Sequence, residues 1–258
     1  MRLMKRILSA AAVLALSASL LVGCSSGTAS SVPVSASSAA ESTVSSVEET
    51  ASSAVDENEA AAAQLLNDLT GSYQELWPVI LADEYKQTWL DDCTALVGEE
   101  NAEAAFEKLS SMVTSDVYGE DAVEAYANGG GAYFCGFTNS LAILTFDGET
   151  STISGTDKDG NMLFSHTYHY IGMEPVRGLY EFQSDDADSG EFTYFFLAPD
   201  TSAETYHIEF RYGSDAEALS QYDTGEYAYW LASGISTDCD QTMIDNCIEL
   251  FCTENLAG

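Results

Sequence analysis

Positive charge is scarce in this chain. Eight Lys and Arg stand against 42 Asp and Glu, a formal net charge of −34 over 258 residues. Three of the eight, Arg2, Lys5 and Arg6, crowd the first six residues, so the remainder is more acidic still. Such a surface repels nucleic-acid phosphates and anionic lipid headgroups, and it attracts cations. No nucleic-acid partner is therefore expected. Histidine is rarer: His166, His169 and His207 are the whole set. There is no CxxC pair, which argues against a cysteine-built zinc site. Signatures of catalysis are missing too: no GxSxG, no HExxH, no glycine-rich phosphate loop after a strand. These absences predict a binding protein and not an enzyme.

Long apolar runs are also lacking outside the N-terminus. Met1 to Gly23 has the layout of an export signal: basic residues, then an apolar Ala- and Leu-rich stretch from Ile7 to Leu21. That stretch is short for a transmembrane helix. It ends in Leu21-Val22-Gly23-Cys24, which resembles a bacterial lipobox. Residues 1–23 are thus read as a lipoprotein signal peptide and Cys24 as the lipidated residue. The expected location is the extracytoplasmic face of a bacterial cell membrane, with membrane contact through the lipid alone. Residues 24–56 are Ser-, Ala- and Thr-rich without aromatics. They lack the apolar surface to offset chain entropy, and read as a disordered linker. Residues 57–258 are expected to form one domain, helical over 57–131, with a barrel and closing helix over 132–258.

Five cysteines besides Cys24 fall in that domain: Cys93, Cys135, Cys239, Cys247 and Cys252. An exported location permits disulfides. An odd number leaves at least one thiol free or paired between chains. Cys93 with Cys135, and Cys239 with Cys247 or Cys252, are pairings the sequence leaves open.

Helical periodicity covers Glu57 to Leu69, Glu84 to Leu96, Asn101 to Met112 and Glu120 to Tyr126. After Asn128-Gly129-Gly130-Gly131 the apolar period changes from 3.6 to 2. Strands are expected over 132–137, 141–146, 150–155, 161–171, 178–183, 191–198 and 205–212. Turn signals such as Asp147-Gly148 and Asp159-Gly160 separate them. Seven short antiparallel strands at regular spacing suggest a meander closing into a barrel. A short helix follows at 215–222. A closing helix follows at 237–251, with Met243, Ile244, Cys247, Ile248 and Phe251 on its inner side. The fold class is α+β, mainly β with flanking helices.

The last strand carries the candidate site. Alternation puts Tyr206, Ile208, Phe210 and Tyr212 on a core face and Thr205, His207, Glu209 and Arg211 on a polar one. Imidazole and carboxylate suit zinc. His166 and His169, three apart on one strand, face opposite ways, so at most one can join His207. A His–His–carboxylate site built from His207, His169 or His166, and Glu209 is chemically allowed. Asp157 to Asn161 fails as a calcium loop, because Gly155 and His166 occupy the positions that need Asp and Glu. It reads as a hairpin turn, and Asp185-Asp186-Ala187-Asp188 as a solvated loop.

Several stretches, in order, resemble the ZinT family of zinc-binding proteins, which includes the C-terminal domain of AdcA-type zinc-uptake lipoproteins. Gly71 to Pro78 is similar to the family's G-x-W-x-S-x-Y-P opening, and Tyr168 to Gly172 to its Y-x-Y-x-G strand. Tyr206 to Leu219 is similar to its H-F-H-I segment and the glycine and leucine beyond it. The resemblance implies a lipocalin-like (calycin) antiparallel β-barrel. It implies zinc held by three histidines at the barrel mouth and a metal-uptake transporter, or its binding protein, as partner. His207 matches the second His of H-x-H, Thr205 stands at the first, and Phe195, Phe196 and Leu197 occupy the upstream ligand region. Either Glu209, His169 and His166 substitute, or this chain has lost the metal and binds a small organic ligand or a protein partner.

Overall fold

Strand alternation builds the wall of a barrel. The computed structural model describes residues 57–198 and 207–257. The expected signal peptide, Cys24, the linker, and Thr205 and Tyr206 lie outside the described residues. Eight strands close the barrel: β1 (Gly71–Glu75), β2 (Ile143–Asp147), β3 (Thr152–Thr156), β4 (Met162–Met173), β5 (Tyr180–Ser184), β6 (Tyr194–Leu197), β7 (His207–Gly213) and β8 (Ala232–Ser236). Each pairs antiparallel with the next, and β1 pairs with β8. This is the fold class expected from the sequence, a closed antiparallel barrel with flanking helices.

Two strands and one non-strand depart from expectation. β1 falls inside the segment read as helical, because five residues with only Tyr73 buried present too little alternation to detect. β8 is Ala-Ser-Gly-Ile-Ser, poor in β-branched and aromatic residues. It is a strand because β7 and β1 flank it. Residues 132–137 do not form a strand. Phe134 makes single bridges to Thr114 and Trp230 only. The Ser233 N–H donates to the Cys135 carbonyl at 3.0 Å. That edge of β8 is open because β1 pairs only with Gly234, Ile235 and Ser236.

An eight-stranded barrel has an interior just wide enough for side chains to fill. Here aromatic rings fill it. Phe164 stacks on Phe192 at 3.9 Å, Phe195 on Tyr212 at 5.3 Å, and Tyr212 meets Trp230 edge-on at 5.1 Å. Ile208, Phe210 and Tyr212 are buried there, as the alternation of β7 requires. The helix at residues 57–68, α1, adds Ala62, Leu65 and Leu66 to the same core, with Leu69 just beyond it.

The other helices are α2 (Leu76–Ile80), α3 (Lys86–Val97), α4 (Glu99–Ser111), α5 (Glu120–Ala125), α6 (Ala216–Leu219) and α7 (Gln241–Leu256). A second core joins α2, α3, α4 and α7 to the outer side of β8 through Ile235. Trp89 anchors it, fully buried, with its indole N–H donating to the Ile80 carbonyl at 2.7 Å. Asp240 caps α7 by accepting from the Met243 N–H at 3.0 Å. The inner side of α7 is Ile244, Cys247, Ile248 and Cys252, while Met243 and Phe251 are half-buried. None of these helices is long and apolar enough to cross a membrane.

Candidate functional site

β7 sends Ile208, Phe210 and Tyr212 into the barrel, so His207, Glu209 and Arg211 leave on the outer side. The register sets what they meet: His207 lies opposite Ile235 and Glu209 opposite Ser233. Over this face run α2 and α7. His207 and Glu209 line a narrow cleft of about 40 Å³ with Trp77 and Ile80 of α2 and Cys247, Phe251 and Glu254 of α7. Phe251 meets Trp77 edge-on at 4.7 Å and closes the apolar side. The cleft therefore lies between the barrel wall and its helical cover, not inside the barrel.

Electrostatics reach beyond the lining. Burial raises the Cys135 thiol to about 12, with the nearby Glu209 charge as the second cause. That thiol is neutral at physiological pH and is a poor metal ligand until something displaces its proton.

His166 and His169 stand elsewhere on the barrel, both on β4. His166 points inward beside Phe164, with its Nδ1 2.7 Å from Asp186 Oδ2. His169 points outward, 2.6 Å from Asp185 Oδ1. The two do face opposite ways. Each is engaged by its own aspartate from the loop after β5. Among the described residues, no three of His, Cys, Asp and Glu are gathered as a group that could hold a metal ion. The grouping of His207, Glu209 and a β4 histidine is thus not assembled: the wall of the barrel carries these side chains to different surroundings.

The turn at Asp157 behaves as a hairpin turn. Asp157 Oδ1 accepts from the Asp159 and Asn161 N–H groups at 2.9 and 2.8 Å. The Asn161 side chain, donating to Oδ2 at 2.9 Å, is the main cause of that carboxyl's lowered pKa.

Arg211 departs most from expectation. Instead of joining a polar surface with His207 it is fully buried. Its guanidinium donates to the carbonyls of Leu219, Gln221 and Tyr227. Beside it, Glu174 is only 1% exposed, accepting from the Val176 N–H at 2.6 Å and the Tyr222 hydroxyl at 3.3 Å. Sequence reading missed this cluster. Its one signal was that the chain beyond residue 6 has only two arginines, Arg177 and Arg211, and an aromatic stretch within twenty residues of the second.

No family model matches the chain, and no curated protein matches it in sequence. Among solved structures, it is similar to the Zn(II)-bound ZinT-like domain of Streptococcus pneumoniae AdcA, with a TM-score of 0.45 and 16% identity, covering 71% of this chain and 89% of that one. It is also similar to Zn(II)-bound AdcA from Streptococcus pneumoniae, with a TM-score of 0.42 and 14% identity, over 72% of this chain and 35% of that one.

Proposed function

We propose that this is a lipid-anchored extracytoplasmic domain that binds a divalent metal ion, zinc foremost, on the outer side of β7 and supports its capture for uptake. One observation carries the reading. His207 and Glu209 leave β7 on the same side and share one cleft with Glu254 and Cys247 of α7. Imidazole nitrogen, carboxylate oxygen and thiolate sulfur are the donors zinc accepts. Donor chemistry fits the ion; pre-assembly does not, since no three such groups are gathered among the described residues. The site is therefore read as one that an ion must draw together, which lowers affinity relative to a preformed site. The acidic surface raises the local cation concentration. Binding, not catalysis, is the role assigned to these residues. Calorimetric zinc titration of the chain and of His207→Ala tests the reading. Binding tighter than millimolar that is lost in the variant supports it; equal binding in both proteins removes His207 from the site.

A second reading has its own observation. Ile171 and Met173 at the end of β4, with Val176 just beyond, are 41%, 42% and 64% exposed. A protein partner would cover them. Absence of zinc binding in both proteins favours this reading. An organic ligand within the barrel is disfavoured by the aromatic packing that fills it.

A further inference from the structure

Cys93 of α3 and Cys252 of α7 are separated by 159 positions in the chain, yet their sulfurs lie 3.9 Å apart. Both side chains are completely buried in the helical core. None of the pairings the sequence leaves open joins these two. The same helix, α7, contributes Cys247, Phe251 and Glu254 to the outer wall of the His207–Glu209 cleft.

We propose that Cys93 and Cys252 are a disulfide site that fastens α7 to α3. The bond brings the sulfurs from 3.9 Å to about 2.05 Å. The oxidant is a second disulfide, of a small molecule or of a thiol-oxidising protein. One cysteine thiolate attacks it, forming a mixed disulfide and releasing one thiolate. The other cysteine thiolate then attacks the mixed disulfide at the sulfur of the first and releases the second thiolate. Two protons leave the cysteines and are taken up by the two released thiolates. The chain is oxidised by two electrons and the acceptor reduced by two.

Burial raises the pKa of both thiols, so thiolate is scarce once α7 has docked. Oxidation therefore belongs to the stage when α7 is off the core, either during folding or on local opening. Once formed, the bond is shielded from reductants by the same burial. Its consequence for the cleft rests on the metal-binding reading; the bond itself does not.

The test separates the two. The full chain is unfolded, reduced, and refolded in buffers of reduced and oxidised glutathione. It is then alkylated and mapped by mass spectrometry without reduction. The expected product is a linked peptide containing Cys93 and Cys252, lighter by two hydrogens than the two peptides apart, with Cys24, Cys135, Cys239 and Cys247 alkylated. The oxidised protein is expected to melt at least about 5 °C above the reduced one. That difference should vanish in Cys93→Ala and Cys252→Ala. Alkylation of both residues after oxidative refolding, or a preferred bond from either to another cysteine, overturns the proposal. The peptide map decides on wild-type protein alone should the alanine variants fail to fold. Zinc is absent throughout, so failure of the metal site leaves this result unaffected.

Discussion

The guanidinium of Arg211 lies 4.4 Å from the ring centre of Tyr222, and Arg177 stands 4.3 Å from the same ring. Arg211 ties the end of α6 and the segment after it to the outer side of β7, through carbonyls at Leu219, Gln221 and Tyr227. Burial holds its pKa down to about 10, still high enough to keep the charge at neutral pH. Replacing it with Met leaves those carbonyls without donors. A loss of about 3 kcal/mol or more in guanidinium unfolding is expected. Lys in its place, a point charge without the planar fork, should recover only part of the loss.

Tyr212 gives a smaller, cleaner deletion. Its hydroxyl accepts from the Thr138 N–H at 2.6 Å and donates to the Thr138 carbonyl at 2.9 Å. Tyr212→Phe keeps the ring stack and strands both groups. The expected cost is about 1–3 kcal/mol by urea denaturation.

Asp92 of α3 makes stability depend on pH. One of its oxygens is buried without a hydrogen-bond partner. Burial, reinforced by Glu249, Asp245 and Asp91, raises its pKa. A carboxyl raised on folding holds its proton more tightly in the folded chain than in the unfolded one. Its contribution therefore becomes unfavourable as pH climbs from the ordinary carboxylate pKa through the raised value. Asp92→Asn removes that penalty. The variant should melt higher than wild type at pH 7, and the difference should shrink toward zero below about pH 4. A constant difference across that range would exclude Asp92 as the titrating group.

Gly148 sits where the β2–β3 turn meets the end of α1. A Cβ there would lie 2.5 Å from the Asn67 nitrogen and 2.6 Å from the Leu66 carbonyl oxygen, both backbone atoms. Gly148→Ala must push α1 off the barrel. A destabilisation of about 2 kcal/mol is expected, along with faster amide exchange in residues 57–68.

Much of the fold was legible because its signals are local. The core face of β7, the turns at Asp147 and Asp157, and the leucines of α1 all follow from periodicity and turn chemistry. β1 and β8 were hidden for the same reason in reverse: five residues of weak alternation carry no local signal, and only closure of the barrel makes them strands. At the candidate site, His207 and Glu209 were assigned to one face, and they do share one cleft. Arg211 was assigned to that face too, but its burial depends on the carbonyls of residues 219–227.

What the sequence determined by itself is sidedness. A period of two decides which residues of a strand share a face, whatever surrounds it. What covers that face was decided by tertiary structure alone. That α2 and α7 roof over His207 and Glu209, that β4 carries its histidines to separate aspartates, and that Cys93 meets Cys252 are contacts between segments far apart in the chain. Local periodicity carries no information about such contacts, because they form only when buried surfaces from distant segments pack together.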